Sequence, residues 1–350
     1  PDDWHIHLRE GEMLKAVINS STRINVRCVV MPNLNIPITT SYLAKKYRNE
    51  IGNYGDLKSF KPLIPCYLTE NLDLKDFKFS LKNDIFIGAK LYPLNATTNS
   101  DFGIKKIETI FPALEILEKL NKPLLIHGEK IEDNINIFDR EKYFIDDELT
   151  KIIKFFPFLK IVLEHVSSKY GADFIEQNDN LAGTITPQHM LLTKKDVFQD
   201  NLNVYNYCMP IVKEEYDLIA LRKYACSGNK KFFLGTDSAP HNILEKENTP
   251  DVKPGIFSAP CSIELYTDIF DQENSLEKLE NFTSINGPSF YNMPLNKAIS
   301  FPRIDVSGGP FLTMNKSLPK NIKQEIQNIW NTNEMDDSVY PSLYACPNIL

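Results

Sequence analysis

The chain has 350 residues and a formal net charge of −7, enough length to bury a core without staples but the wrong sign for a nucleic-acid module, which would carry a basic stripe. Its six cysteines form no CxxC pair, which argues against zinc knuckles and a dense disulfide scaffold. No apolar run approaches the roughly 18 residues of a membrane span and no apolar leader opens the chain, so a cytoplasmic globular protein is expected.

In chain order, short apolar, β-branched runs occur at Trp4–Leu8, Val26–Met31, Pro62–Leu68, Ile85–Leu91, Pro123–His127, Lys160–His165, Leu181–Thr186 and Lys231–Thr236. Most are apolar almost throughout, as in parallel strands buried on both faces. Helical periodicity fills the gaps over Ile104–Leu120, Asp147–Phe156, Lys169–Gln177 and Glu214–Ala225. Eight alternations of strand and helix predict an α/β chain folded as a (β/α)8 TIM barrel. The alternative, a doubly wound open sheet, lacks its usual GxGxxG after the first strand. The barrel is expected over residues 1–286, ending with helices in Cys261–Asn286. A C-terminal extension, 287–350, would pack on it, with a turn at Ser307–Pro310 and a helix near Pro319–Trp330. The chain holds 32 Lys, 7 Arg and 32 Asn, read as codon bias, with the Asn-rich stretches as loops or helix ends. It opens on Pro1, only four residues before the first histidine, so residues preceding the numbering are expected in the natural protein.

A barrel builds its site at the C-terminal ends of its strands. The first run holds His5 and His7, which a period of two places on one face, where two imidazoles can share a divalent ion. The fourth run ends at Lys90, the fifth at His127, the sixth at His165, and the eighth is followed by Asp237 and His241. Five of six histidines therefore fall on one rim. The sixth, His189, lies past the seventh strand and is taken as structural. Cys208 and Cys261 have no spare histidine to activate them and are read as packing.

This order of residues resembles the binuclear amidohydrolase superfamily. The local strings Pro1–Arg9, Met31–Leu34, Ala89–Pro93, Asn95–Ser100, His127–Glu129 and Gly235–His241 are similar to those of dihydroorotases of the short, single-function type, from Pro1 to about Pro260. The resemblance implies a reversible cyclisation of N-carbamoyl-L-aspartate to L-dihydroorotate in pyrimidine biosynthesis. It implies two Zn2+ ions, held by His5, His7, His127, His165 and Asp237, and bridged by Lys90. A free ammonium would be repelled between two cations, so Lys90 makes sense there as N6-carboxylysine, formed with CO2. A metal-activated hydroxide would attack the ring carbonyl, with Asp237 as general base and then acid.

The same resemblance assigns the substrate contacts. Arg9, two residues beyond His7, suits a carboxylate clamp. Asn33 and His241 would be its partners. Backbone groups of Met209 and Pro254 would meet the pyrimidine edge, although the loop before Pro254 differs in length from the family pattern. The polar, Gly-terminated stretch Asn95–Gly103 would be a mobile lid, covering the substrate through Thr97 and Thr98. A homodimer is implied, with no nucleic-acid or membrane partner. The alternatives are another cyclic amidohydrolase, such as a hydantoinase or dihydropyrimidinase, and a catalytically silent scaffold relative. The first would need no clamp for an α-carboxylate; the second would have lost metal ligands, and none is missing.

Overall fold

The computed structural model describes residues 1–199, 201–248 and 250–297. Nine parallel strands carry the eight expected runs: β1 (Asp2–Ile6), β2 (Arg27–Val30), β3 (Lys61–Leu63), β4 (Cys66–Tyr67), β5 (Ala89–Leu91), β6 (Leu124–Ile126), β7 (Ile161–Leu163), β8 (Leu181–Ile185) and β9 (Phe232–Leu234). They pair in the orders β1-β2-β3 and β4 through β9. The third run is one strand in sequence and two in space. Pro65 has no N–H for the ladder, so β3 pairs with β2 and, past the proline, β4 pairs with β5. The circle closes between the last run and the first, where Asp237 N donates to His5 O at 2.9 Å and His7 N to Ser238 O at 3.0 Å. This is the expected (β/α)8 barrel.

Alternate residues of the strands point in and out. One residue from each of the eight runs meets in the barrel interior: Trp4, Val29, Leu63, Ile87, Leu125, Val162, Ala182 and Phe233. The outward residues, such as Val30, Leu124, Ile126, Leu163 and Leu234, join a larger core with the helices. Burial on both faces accounts for the apolar runs.

Strict alternation from His5 would turn Trp4 away from the barrel axis. It lies inside because β1 is irregular between Asp3 and Ile6. There Asp3 Oδ1 accepts from His5 N at 3.1 Å and from Thr236 N at 3.0 Å, and Asp3 Oδ2 accepts from Thr236 Oγ1 at 2.6 Å. Asp3 thus ties β1 to the segment after β9 at the closing seam. Below it, the Trp4 indole stacks on Tyr291 at 4.2 Å between ring centroids. Tyr291 ends the helix Asn286–Tyr291, which forms the barrel floor. Arg27 adds a two-point pair with Asp2, at 2.9 and 2.6 Å, and donates to Pro294 O at 2.8 Å. The expected turn at Ser307–Pro310, the helix near Pro319–Trp330 and the rest of the extension past Lys297 lie outside the described residues.

The helices largely follow the periodicity, and Lys169–Gln177 matches residue for residue, capped by Ser168 accepting from Gly171 N. Among the described residues no helix is long and apolar enough to cross a membrane.

Candidate active site

Three donor atoms converge at the mouth of the barrel. His5 Nε2 and His7 Nε2 are 3.4 Å apart, and Asp237 Oδ1 lies 3.3 Å from the first and 3.2 Å from the second. The period of two along β1 brings the imidazoles to one side, and the His5 carbonyl accepting from Asp237 N brings the carboxylate to them. A second group is formed by His5, Glu164 and His165, again within ligand distance of one another. The His165 ring stands 4.8 Å from that of His5 and 4.7 Å from that of His127.

Lys90 is fully buried beneath this cluster. Its ammonium pairs with Glu164 Oε2 and sits 4.8 Å from the Tyr92 ring centroid. Glu164 Oε1 is 3.0 Å from His5 Nδ1, but off the hydrogen-bond direction, so both atoms lack a hydrogen-bond partner. His165 Nδ1 is likewise buried without one. His127 Nε2 meets Glu129 Oε2 at 2.8 Å. Glu164 and Glu129 were not singled out in the sequence. The signal was present: each is a carboxylate beside a rim histidine at the end of an apolar run, where an unpaired charge is costly.

Burial is the largest influence on titration here, and at His5 and Asp237 the neighbours reverse its direction. It pulls His7 down to about 3, and, with His127 and His5 nearby, holds His165 well below the usual imidazole range. It pulls on His5 too, but the carboxylates of Glu164 and Asp237 outweigh it and raise that ring to about 9. Burial pushes the Asp237 carboxyl up, yet hydrogen bonds from His5 and His7 prevail and hold it well below the ordinary carboxylate range. The Lys90 ammonium is lowered by burial, against the attraction of Glu164.

The cluster opens into one cavity. His5, His7, Arg9, Asn33, Thr97, Thr98, His127, His165, Met209, Asp237 and Pro254 all line it. Lys90 lies behind Tyr92, which also lines it, and His241 stands against Arg9. Arg9 Nε donates to Pro240 O at 2.9 Å, while Arg9 Nη2 comes to 3.0 Å from His241 Nε2. The same His241 nitrogen is 3.0 Å from Pro254 O, and one nitrogen cannot donate to the carbonyl and accept from the guanidinium. Burial, then the Arg9 charge, brings His241 down to about 4, so the ring is neutral.

Thr97 and Thr98, from the segment 95–103, line this cavity. Asn33 Nδ2 donates to Thr98 O at 2.9 Å and Asn99 Nδ2 to Asn33 O at 3.0 Å. Asn33 Oδ1 and Thr98 Oγ1 stay buried without partners. His189 stands apart, held by Thr186 Oγ1 at 2.7 Å and Pro210 O at 2.9 Å. Cys208 is buried, and burial pushes its thiol up to about 12, which suits packing and not nucleophilic attack. Three residues of the site, Arg9, His165 and Asp237, have φ of 59°, 43° and 45°, a left-handed conformation uncommon for most residues with a Cβ.

A donor set of imidazoles and carboxylates, buried and short of hydrogen-bond partners, fits divalent metal ions. No protein-family model matches the chain. It is 47% identical over 300 residues to the dihydroorotase of Buchnera aphidicola subsp. Acyrthosiphon pisum (strain Tuc7), covering 85% of each chain. Among solved structures it resembles the dihydroorotase of Saccharomyces cerevisiae in complex with 5-fluoroorotic acid, with a TM-score of 0.79, 32% identity and 84% of each chain covered. It also resembles the dihydroorotase of Campylobacter jejuni, with a TM-score of 0.77 and 35% identity over 85% of this chain and 84% of that one. Identity of this order over most of both chains, on a barrel whose rim gathers these ligands, places the chain in the dihydroorotase family of hydrolases.

Proposed function

We propose that the chain interconverts N-carbamoyl-L-aspartate and L-dihydroorotate in the cavity at the barrel mouth, as a cytoplasmic homodimer with two Zn2+ ions per chain. His5, His7 and Asp237 would hold one ion, His127 and His165 the other, with Lys90 between them as N6-carboxylysine. The observation that carries this reading is the meeting of the His5–His7–Asp237 donors and the Arg9 guanidinium in one cavity. Zinc at such a centre supplies Lewis acidity toward a carbonyl and a lowered pKa for water.

The residues divide the remaining work. Burial disfavours the Lys90 ammonium and so favours the free amine, the form that attacks CO2. The amine nitrogen forms the new C–N bond and loses a proton, leaving an anionic carbamate. Asp237, held ionised, takes a proton from the attacking water at its carboxylate and returns it to the leaving amide nitrogen. In the cyclising direction it takes the proton from the carbamoyl nitrogen. Arg9 clamps the substrate carboxylate with its guanidinium fork, and Asn33 and His241 complete the anion site. Thr97 and Thr98 cover the substrate, and the main chain at Met209 and Pro254 meets its ring edge. A hydantoinase has no need for this clamp.

Elemental analysis and turnover test the reading together. The purified protein should carry two zinc ions per chain and convert carbamoyl-aspartate. Protein free of divalent metal yet fully active, or metal-loaded protein inert toward both substrates, would overturn it.

A further inference from the structure

A second buried lysine lies just behind the cavity wall. Lys246, in the short helix Ile243–Glu247, is fully buried. Its ammonium donates to three main-chain carbonyls, Gly255 O at 2.8 Å, Lys253 O at 3.1 Å and Tyr207 O at 3.2 Å. A buried lysine is normally paired with a carboxylate; among the described residues none forms an ion pair with this one. The adjacent Glu245 turns to Asn242 N and to His241, and Glu247 accepts from Tyr205.

The three carbonyls belong to the two segments that wall the substrate cavity. Tyr207 lies two residues before Met209, and Lys253 and Gly255 flank Pro254. Gly255 N donates back to Tyr207 O at 2.9 Å, and Pro254 O reaches His241 at 3.0 Å. Gly255 has a φ of 152°, and a Cβ there would fall 2.3 Å from Ala239 O, so the segment runs hard against the residues leading to His241. One ammonium therefore joins both walls to the helix that follows His241.

We propose that Lys246 is a positioning residue for substrate: it fixes the main chain at Met209 and Pro254 against the Arg9–His241 pair and leaves its positive charge uncompensated behind the anion end of the cavity. The proposal rests on the function proposed above. It separates substrate affinity from the metal centre, which Lys246 does not touch.

The test is steady-state kinetics on zinc-loaded full-length protein, with K246M, K246Q and K246R. K246M keeps the length and loses donors and charge; its KM should rise by about tenfold or more for both substrates, with kcat within about threefold, the signature of lost uniform binding. Zinc content should be unchanged, and K246R should recover part of the loss. K246Q keeps two donors without the charge, so its KM should lie between wild type and K246M; it also serves as the probe if K246M does not fold. A KM within twofold of wild type in a folded K246M or K246Q, or a loss of kcat and zinc together at constant KM, overturns the proposal. Absence of turnover in the wild type overturns instead the function on which it rests.

Discussion

Replacing Gly287 with alanine should destabilise the barrel although no residue of the rim is touched. A Cβ at that position would lie 1.9 Å from Trp4 Nε1, 2.3 Å from Cε2 and 2.6 Å from Cδ1. Non-bonded atoms settle at about 3.5–4.0 Å, so the indole or the floor helix must move by roughly 1.5 Å. Trp4 has little room. It is buried, stacked on Tyr291 at 4.2 Å, set edge-on to Phe233 at 6.1 Å, and flanked by the Arg27 guanidinium at 5.8 Å. Overpacking costs about 1–3 kcal/mol, and a rigid ring met at this distance belongs at the upper end, about 3 kcal/mol. Alanine returns about 1 kcal/mol in helix propensity, leaving a net loss of about 2 kcal/mol. At about 2–4 °C per kcal/mol, melting followed by near-ultraviolet circular dichroism should drop by about 4–8 °C. Trp4→Phe in the same background should recover part of the drop, because the smaller ring vacates the contested space. A Gly287→Ala protein melting at or above the wild type would refute the reasoning and show slack in the floor.

Other outcomes follow from the site. Arg9→Ala would remove the proposed two-point clamp, whose charge-assisted bonds contribute about 1.5–3 kcal/mol each; kcat/KM for carbamoyl-aspartate should fall by about two to four orders of magnitude with zinc retained, and Arg9→Lys should recover only part. Intact turnover in Arg9→Ala would remove the α-carboxylate assignment. His189 is held at about 4 by burial and by Lys213, against about 6.5 when unfolded. The unfolded chain therefore binds the proton first, so this contribution is whole above pH 6.5 and is lost as pH falls toward 4, by up to about 3 kcal/mol. Urea titrations at pH 7 and 5 should show about 2 kcal/mol of that loss, and His189→Gln should flatten the dependence; an unchanged slope would contradict it. Chelation should abolish turnover and lower the melting temperature, and zinc reloading in CO2-free buffer should be slow until bicarbonate is added. Reloading at equal rates with and without bicarbonate would count against a carboxylated Lys90.

The barrel and most of its rim were legible because they depend on local periodicities. Eight apolar runs gave the strands, and counting to their C-terminal ends located His5, His7, Lys90, His127, His165 and Asp237. What stayed hidden depends on contacts distant in sequence. The break at Pro65 shows only when its two halves choose different neighbours. Trp4 enters the barrel through an irregularity made by Asp3 and Thr236, 233 positions apart. Glu164 acquires its place only when β1, β5 and β7 bring His5 and Lys90 to it. Lys246, one of 32 lysines, looks like surface until the segments at Tyr207 and Gly255 close around it.

The left-handed backbone at Arg9 and His165 sets the fold against the proposed function at two positions. Such a conformation costs on the order of 1 kcal/mol or more for most residues with a Cβ, whereas glycine accepts it freely and asparagine and aspartate tolerate it. Selection for heat resistance alone would drift toward those residues at Arg9 and His165, shedding the proposed anion clamp and a proposed metal ligand while the barrel became hardier. Thermostable variants of this enzyme should therefore be sought under simultaneous selection for turnover, and gains that map to these positions read as warnings.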